Sequence, residues 1–233
     1  MLAIADVRRT PPLWGLSVRG LSLVLLASVG GLVFTTLQGW SLWTVGTAVI
    51  LPWLPVFVRD LAWIYKRYAW LALFYALVVT QGGHCLEHIV QMVQIHVLGL
   101  TGPDARGVFG VLDIEVVHLV WNAWVMLAVV LLLWRFRRNR ALQVTAVLAG
   151  WHTIEHAYIF SVYLSTGLSG TPGLLSQGGA LFGGLPISRA DLHCLYNLVE
   201  SAPLFVAFFE QVRRSTRSNK SRSVKLQGAQ SGV

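Results

Sequence analysis

The sequence predicts an all-α integral membrane protein of six transmembrane helices, with both termini cytoplasmic and helices 3–4 and 5–6 forming a parallel duplicated hairpin. Three observations predict it. Of 233 residues, 55% are hydrophobic and only 12% charged, against about 25% charged in soluble domains, which excludes an ordinary soluble fold. The apolar residues fall into runs of about 20, the length an α-helix needs to cross a bilayer, and the mean hydropathy is +0.62. Lys and Arg lie between these runs rather than on a basic face, so the net charge of +8 reports orientation and gives no sign of a nucleic-acid partner.

The spans are expected over residues 16–37, 41–58, 68–98, 113–134, 141–165 and 190–211, each an apolar run bounded by polar or Gly-rich sequence. The first follows Arg8 and Arg9 and reads as a retained signal anchor, since no small-residue cleavage site follows it. Sixteen of the 18 Lys and Arg fall before or at the start of span 1, between spans 2 and 3, between spans 4 and 5, and after span 6. Only Arg106 and Arg189 fall on the other side, so the positive-inside rule places both termini in the cytoplasm. Residues 1–214 thus form one six-helix domain: an N-terminal hairpin at 1–66, repeat 1 at 67–138 and repeat 2 at 139–214. Residues 215–233 are expected to be a disordered basic cytoplasmic tail near anionic lipid. Trp14, Trp40, Trp43 and Trp134 suit interface anchors. The expected setting is the plasma membrane, with the lipid bilayer as partner. Residues 166–187 hold seven glycines and no charge, which suits either a lid over a site or a flexible connector.

An internal repeat carries the ionisable residues. His84-Cys-Leu-Glu87-His88 recurs as His152-Thr-Ile-Glu155-His156 at an offset of 68, and Gly99-Leu-Thr-Gly102 recurs as Gly167-Leu-Ser-Gly170 at the same offset. His118-Leu-Val-Trp121-Asn122 matches His193-Cys-Leu-Tyr196-Asn197 at an offset of 75. Both copies start on the cytoplasmic side, so the repeat is parallel. Positions i, i+3 and i+4 share one helical face. His84, Glu87 and His88 therefore project together, as do His152, Glu155 and His156. Glu115, His118 and Asn122 form a stripe on span 4, and His193, Asn197 and Glu200 form one on span 6.

Ionisable residues inside a span cost about 2.5 kcal/mol or more and as a rule serve function. A cation satisfies such a cluster, because neutral imidazole and ionised carboxylate are its ligands. The expected ligands of a transition metal (iron, copper or zinc) are His84, His88, His118, His152, His156 and His193. Glu87 and Glu155 are expected as bridging ligands or proton acceptors in a catalytic role, and Glu115, Asn122, Asn197 and Glu200 as hydrogen-bonding supports of the ligands. The doubled pattern points to a two-metal centre and a metalloenzyme that oxidises or hydrolyses a lipophilic small molecule. The alternatives are a metal-ion or proton transporter or chaperone using the same residues, polar glue between helices, and a b-type haem protein. Cys85 and Cys194 read as small core residues, His96 as an outer-edge residue, Asp113 and Asp191 as helix caps, and Pro203 as a kink absorbed by neighbouring helices.

The HxxEH string resembles the inverzincin signature, in which two His bind zinc and the Glu acts as general base. Here it occurs twice inside apolar spans, so the chemical logic alone carries over. The HxxxH pairs also resemble those of membrane hydroxylases and desaturases, whose clusters include HxxHH and lie on the cytoplasmic side; HxxHH is missing here. Inward-facing Glu-x-x-His pairs are similar to those of soluble di-metal carboxylate bundles.

Overall fold

The computed structural model describes residues 17–230; of Pro103, Val111 and residues 216–230 only the backbone is described. Arg8, Arg9, Trp14 and the start of the first span lie outside the described residues, as do the side chains of the expected tail. The described chain is helical, with a single isolated bridge between Gly179 and Gly183. Its helices are α1 (Val18–Leu37), α2 (Leu42–Ile50), α3 (Leu54–His96), α4 (Glu115–Arg135), α5 (Arg140–Thr166) and α6 (Arg189–Gln230).

Among the described residues, four runs are long and apolar enough to cross a membrane: Val18–Leu37, Leu42–His96, Glu115–Arg135 and Arg189–Ser215. α5 is not among them, since its 27 residues include His152, Glu155 and His156. The second and third expected spans lie in one helical run of 55 residues, Leu42–His96. At 1.5 Å per residue that run is roughly 80 Å long, more than twice the hydrocarbon thickness. It bends at Tyr68, where φ −149° and ψ 65° leave the helical region. No Pro or Gly lies between Pro55 and Gly82, so the interruption at Tyr68 falls just after Lys66 and Arg67 without a helix-breaking residue. α6 likewise runs on to Gln230, past the expected end at residue 211 and into the stretch expected to be disordered. The first glycine after residue 184 is Gly228, and Pro203 is accommodated inside the helix.

Each of α3, α4, α5 and α6 packs against two others, in the cyclic order α3–α4–α5–α6. α1 and α2 form a hairpin of their own, closed by Ser28 Oγ, which donates to Val49 O at 2.9 Å and accepts from Trp53 Nε1 at 3.0 Å. The four-helix bundle has two unlike halves. Toward the α4–α5 turn it is apolar, built from Phe74, Leu77, Val125, Val129, Leu132, Leu142, Leu204 and Phe208. Toward the longer connections, residues 97–114 and 167–188, it is polar. The α4–α5 turn is tied down by Asn139. Its side chain accepts from Leu142 N at 3.1 Å, capping α5, and donates to Ala207 O of α6 at 2.8 Å.

Asn139→Ala removes the cap of α5 and the buried hydrogen bond to α6, which together cost about 2 kcal/mol. Ser17→Ala removes only an exposed cap from α1 and is expected to cost about 0.5–1 kcal/mol. Thermal unfolding in detergent measures both, and equal shifts would contradict the double role of Asn139.

Candidate metal centre

All six repeat histidines meet in the polar half of the bundle. α3 brings His84 and His88, α4 His118, α5 His152 and His156, and α6 His193. The distance between ring centroids is 4.6 Å for His84–His88, 5.8 Å for His84–His118 and 6.0 Å for His88–His118. For the counterparts it is 5.0 Å for His152–His156, 5.0 Å for His152–His193 and 4.7 Å for His156–His193. The sets also touch one another, with His88–His193 at 4.3 Å and His118–His156 stacked at 5.4 Å.

Two groups place their ligand nitrogens within 4.8 Å of one another: His84, His88, His118 and His193, and His152, His156 and His193. His88 Nε2 faces His84 Nε2 at 3.3 Å, and His156 Nε2 faces His193 Nε2 at 3.3 Å. Two nitrogens held at about 2.0–2.1 Å by one tetrahedral ion stand about 3.3 Å apart. His152 Nε2 and His156 Nδ1 are buried with no hydrogen-bond partner among the described residues. These buried imidazole groups could hold metal ions.

The other nitrogens are oriented from outside. His152 Nδ1 meets Glu200 Oε2 at 3.0 Å, both side chains being almost fully buried. His88 Nδ1 meets Gln91 Oε1 at 3.1 Å, and His118 Nδ1 meets Ile114 O at 3.2 Å. Such partners fix ring orientation and leave the opposite nitrogen free to bind. Glu200 thus fixes the orientation of the His152 ring from α6.

The remaining predicted residues are used differently. Glu87 and Glu155, expected as bridging ligands or proton acceptors, belong to neither histidine group. Glu87 Oε1 accepts from Phe109 N at 2.5 Å, and Glu155 Oε1 accepts from Leu174 N at 2.8 Å. Each carboxylate lies one turn beyond the inner His of its helix and is claimed by the connection crossing that end. The glycines above them take positive φ, 80° at Gly107 and 82° at Gly173, and a Cβ at either would strike the carboxylate. Glu115 also holds a connection: it accepts from Gly170 N at 3.0 Å and from Arg189 Nη2 at 2.7 Å. Asn122 and Asn197 donate to the backbone carbonyls of His118 (2.9 Å) and His193 (3.0 Å) rather than to imidazoles. This is the i−4 back-bonding open to a short polar side chain in a helix.

Residues 167–188 form a hydrogen-bonded cap over α5 and α6, with Gln177 N on Ile187 O at 2.8 Å and Leu185 N on Leu175 O at 2.7 Å. His96, at the outer end of α3, pairs with Asp191 at 2.6 Å. Three residues to which the sequence reading gave no role at the site also shape it. Gln81 donates to Asn197 Oδ1 at 3.0 Å and accepts from Trp121 Nε1 at 3.1 Å, forming a polar floor above the apolar core. Tyr196 lies 5.2 Å from the His152 ring and accepts from Trp151 Nε1 at 3.1 Å. Arg189 lines a cleft that reaches His156 and His193. Its signal was present in the sequence, as one of two basic residues away from the Arg-rich side.

The fold and site define a helical protein with spans fit for a membrane and a buried polyhistidine cluster. Comparison with known proteins yields no match, whether to a family model, a curated protein or a solved structure.

Gly173→Ala is expected to free Leu174 from Glu155, through a clash added to left-handed strain of about 1–2 kcal/mol. Gly167→Ala meets open space and carries the strain alone. Amide hydrogen exchange at Leu174 is expected to accelerate in the first variant and stay near wild type in the second.

Proposed function

We propose that the chain is a six-span plasma-membrane protein whose two duplicated hairpins each supply three histidines to one metal ion, forming a dinuclear metalloenzyme centre. The observation that carries this reading is the pairing of the trios. His84, His88 and His118 come from α3 and α4, and their sequence counterparts His152, His156 and His193 come from α5 and α6. On His152, His156 and His193, three imidazoles on one ion leave a coordination position open, the arrangement of catalytic rather than structural zinc sites, whereas His193 also lies within 4.8 Å of the ligand nitrogens of the first trio. The bend at Tyr68 divides the long Leu42–His96 run into two spans in this reading. With the charge bias placing the Arg-rich end in the cytoplasm, the centre lies toward the extracytoplasmic face.

Imidazole-only donors suit zinc or copper, with iron a further candidate. Rings packed at 4.3 to 6.1 Å between centroids suit direct coordination and leave no slab for a haem macrocycle. Between the Gln81 floor and the α4–α5 turn the core is built chiefly of apolar residues. A one-sided centre is consistent with that floor, whereas a transport route would need polar groups through it. The reaction proposed is an oxidative or hydrolytic step on a lipophilic substrate, with the ions as Lewis acids or redox centres.

Purified protein is expected to contain two transition-metal ions per chain by elemental analysis, with an absorption spectrum that separates zinc from copper or iron. His84→Ala combined with His152→Ala, one ligand from each trio, is expected to lower the bound metal to below half. Glu87→Gln, which alters a loop contact only, is expected to keep both ions. Unchanged metal in the double variant, or a wild-type protein without metal, would overturn the reading.

A further inference from the structure

His193 stands at the middle of the cluster. Its ring centroid lies 4.3 Å from that of His88, 4.7 Å from His156, 5.0 Å from both His118 and His152, and 6.1 Å from His84. Every other imidazole of the two trios is therefore its direct neighbour. It is also the residue common to the two groups whose ligand nitrogens lie within 4.8 Å of one another, the four of His84, His88, His118 and His193 and the three of His152, His156 and His193.

Hydrogen bonding sets the same ring apart. At the 75-residue offset its counterpart is His118, whose Nδ1 is held by Ile114 O of its own helix at 3.2 Å. His88 Nδ1 is held by Gln91 and His152 Nδ1 by Glu200. Each of those three rings is anchored from outside through one nitrogen and has the other left to bind an ion. The His193 ring has no outside partner among the described residues, and its hydrogen bond is to His156 Nε2, within the cluster. An imidazole with neither nitrogen anchored elsewhere can serve two ions, one at each nitrogen, once its N–H proton is released.

We infer that His193 bridges the two proposed ions as an imidazolate, giving one ring nitrogen to each. The first ion is then enclosed by His84, His88, His118 and His193, the filled four-coordinate shell of a structural site. The second, on His152, His156 and His193, keeps its open position. As the second ion binds, the remaining N–H bond of His193 gives way to a metal–nitrogen bond and the proton leaves to solvent. Two metal–nitrogen bonds of about 2.0–2.1 Å and the width of the ring set the ions about 6 Å apart, farther than the roughly 3.5–4 Å of closely paired two-metal sites. This inference rests on the two-ion reading and deepens it, by naming the residue that links the ions and by making the two sites unequal.

The test uses the full chain, stripped of metal and reloaded stepwise with Cu(II), whose electron paramagnetic resonance reports both donor number and coupling between ions. One equivalent is expected to fill the first site and give a mononuclear signal with four nitrogen donors. A second equivalent is expected to couple to the first, so that the integrated low-temperature signal falls below that of two isolated ions. His193→Ala is expected to weaken the first ion about tenfold or more, since loss of even an outer partner of a ligand costs that much, and to cut its nitrogen donors from four to three. His156→Ala removes a ligand of the second ion alone and is expected to leave the first ion unchanged. Should His193→Ala take up no copper, the wild-type signal decides. A chain that binds fewer than two ions refutes the two-ion centre itself. Two bound ions whose signals add as isolated spins, or a first ion indifferent to His193→Ala, overturn this inference alone.

Discussion

Six imidazoles packed into one buried volume are the constraint on which the rest of the bundle depends. Neutral imidazole carries one donor and one acceptor, and each left unmet in a dry interior costs about 1–3 kcal/mol. Where His88 faces His84, and His156 faces His193, one nitrogen of each pair can donate to the other. His152 Nε2 and His156 Nδ1 have no such recourse. A cluster of this kind persists in a fold only when the backbone places it there for a reason beyond its own stability. Cations proposed at its centre satisfy several of these nitrogens at once.

The surroundings divide accordingly. Below the cluster, Gln81 spans between Trp121 and Asn197, closing the polar half of the bundle against a core of Phe, Leu, Val and Ala that needs no partner. Above it, three glutamates hold backbone amides, and Glu115 also holds the Arg189 guanidinium. Glu87 and Glu155 hold Phe109 and Leu174, and Glu115 holds Gly170 and Arg189. Loops that would otherwise leave unpaired N–H groups over an apolar bundle are thereby fastened to the helices that carry the histidines. The glycines at 107 and 173 make room for the carboxylates, which ties their positive φ to a steric need at those two points.

Much of this was legible in the sequence, for physical reasons. The helical period fixes which residues share a face, so His84 and His88, or His152 and His156, had to project together once their segments were helical. The 68- and 75-residue offsets paired the histidines of α3 with α5 and of α4 with α6 before any packing was known. The roles of Glu87 and Glu155 were not legible. A residue three positions from a histidine lies near it on the helix surface, yet the carboxylate's partner is chosen by whichever loop amide reaches it first. Asn122 and Asn197 were misjudged similarly, because a carbonyl four residues back competes with any imidazole. The bend at Tyr68 follows directly on Lys66 and Arg67, which mark an interface by charge, yet its backbone angles were not legible because no Pro or Gly stands there.

The sequence by itself determined the helical class, the apolar runs fit for a membrane, and the set of six histidines, because composition and periodicity are local properties. Only the tertiary structure decided that four helices in cyclic order bring those histidines within 4.8 Å groups, that Glu87, Glu115 and Glu155 face the loops while Glu200 faces His152, and that Arg189 and Glu155 share a cleft on one side. Those outcomes depend on the loops, on helix rotation and on which buried polar atoms find partners, and they are set by packing between segments far apart in the chain.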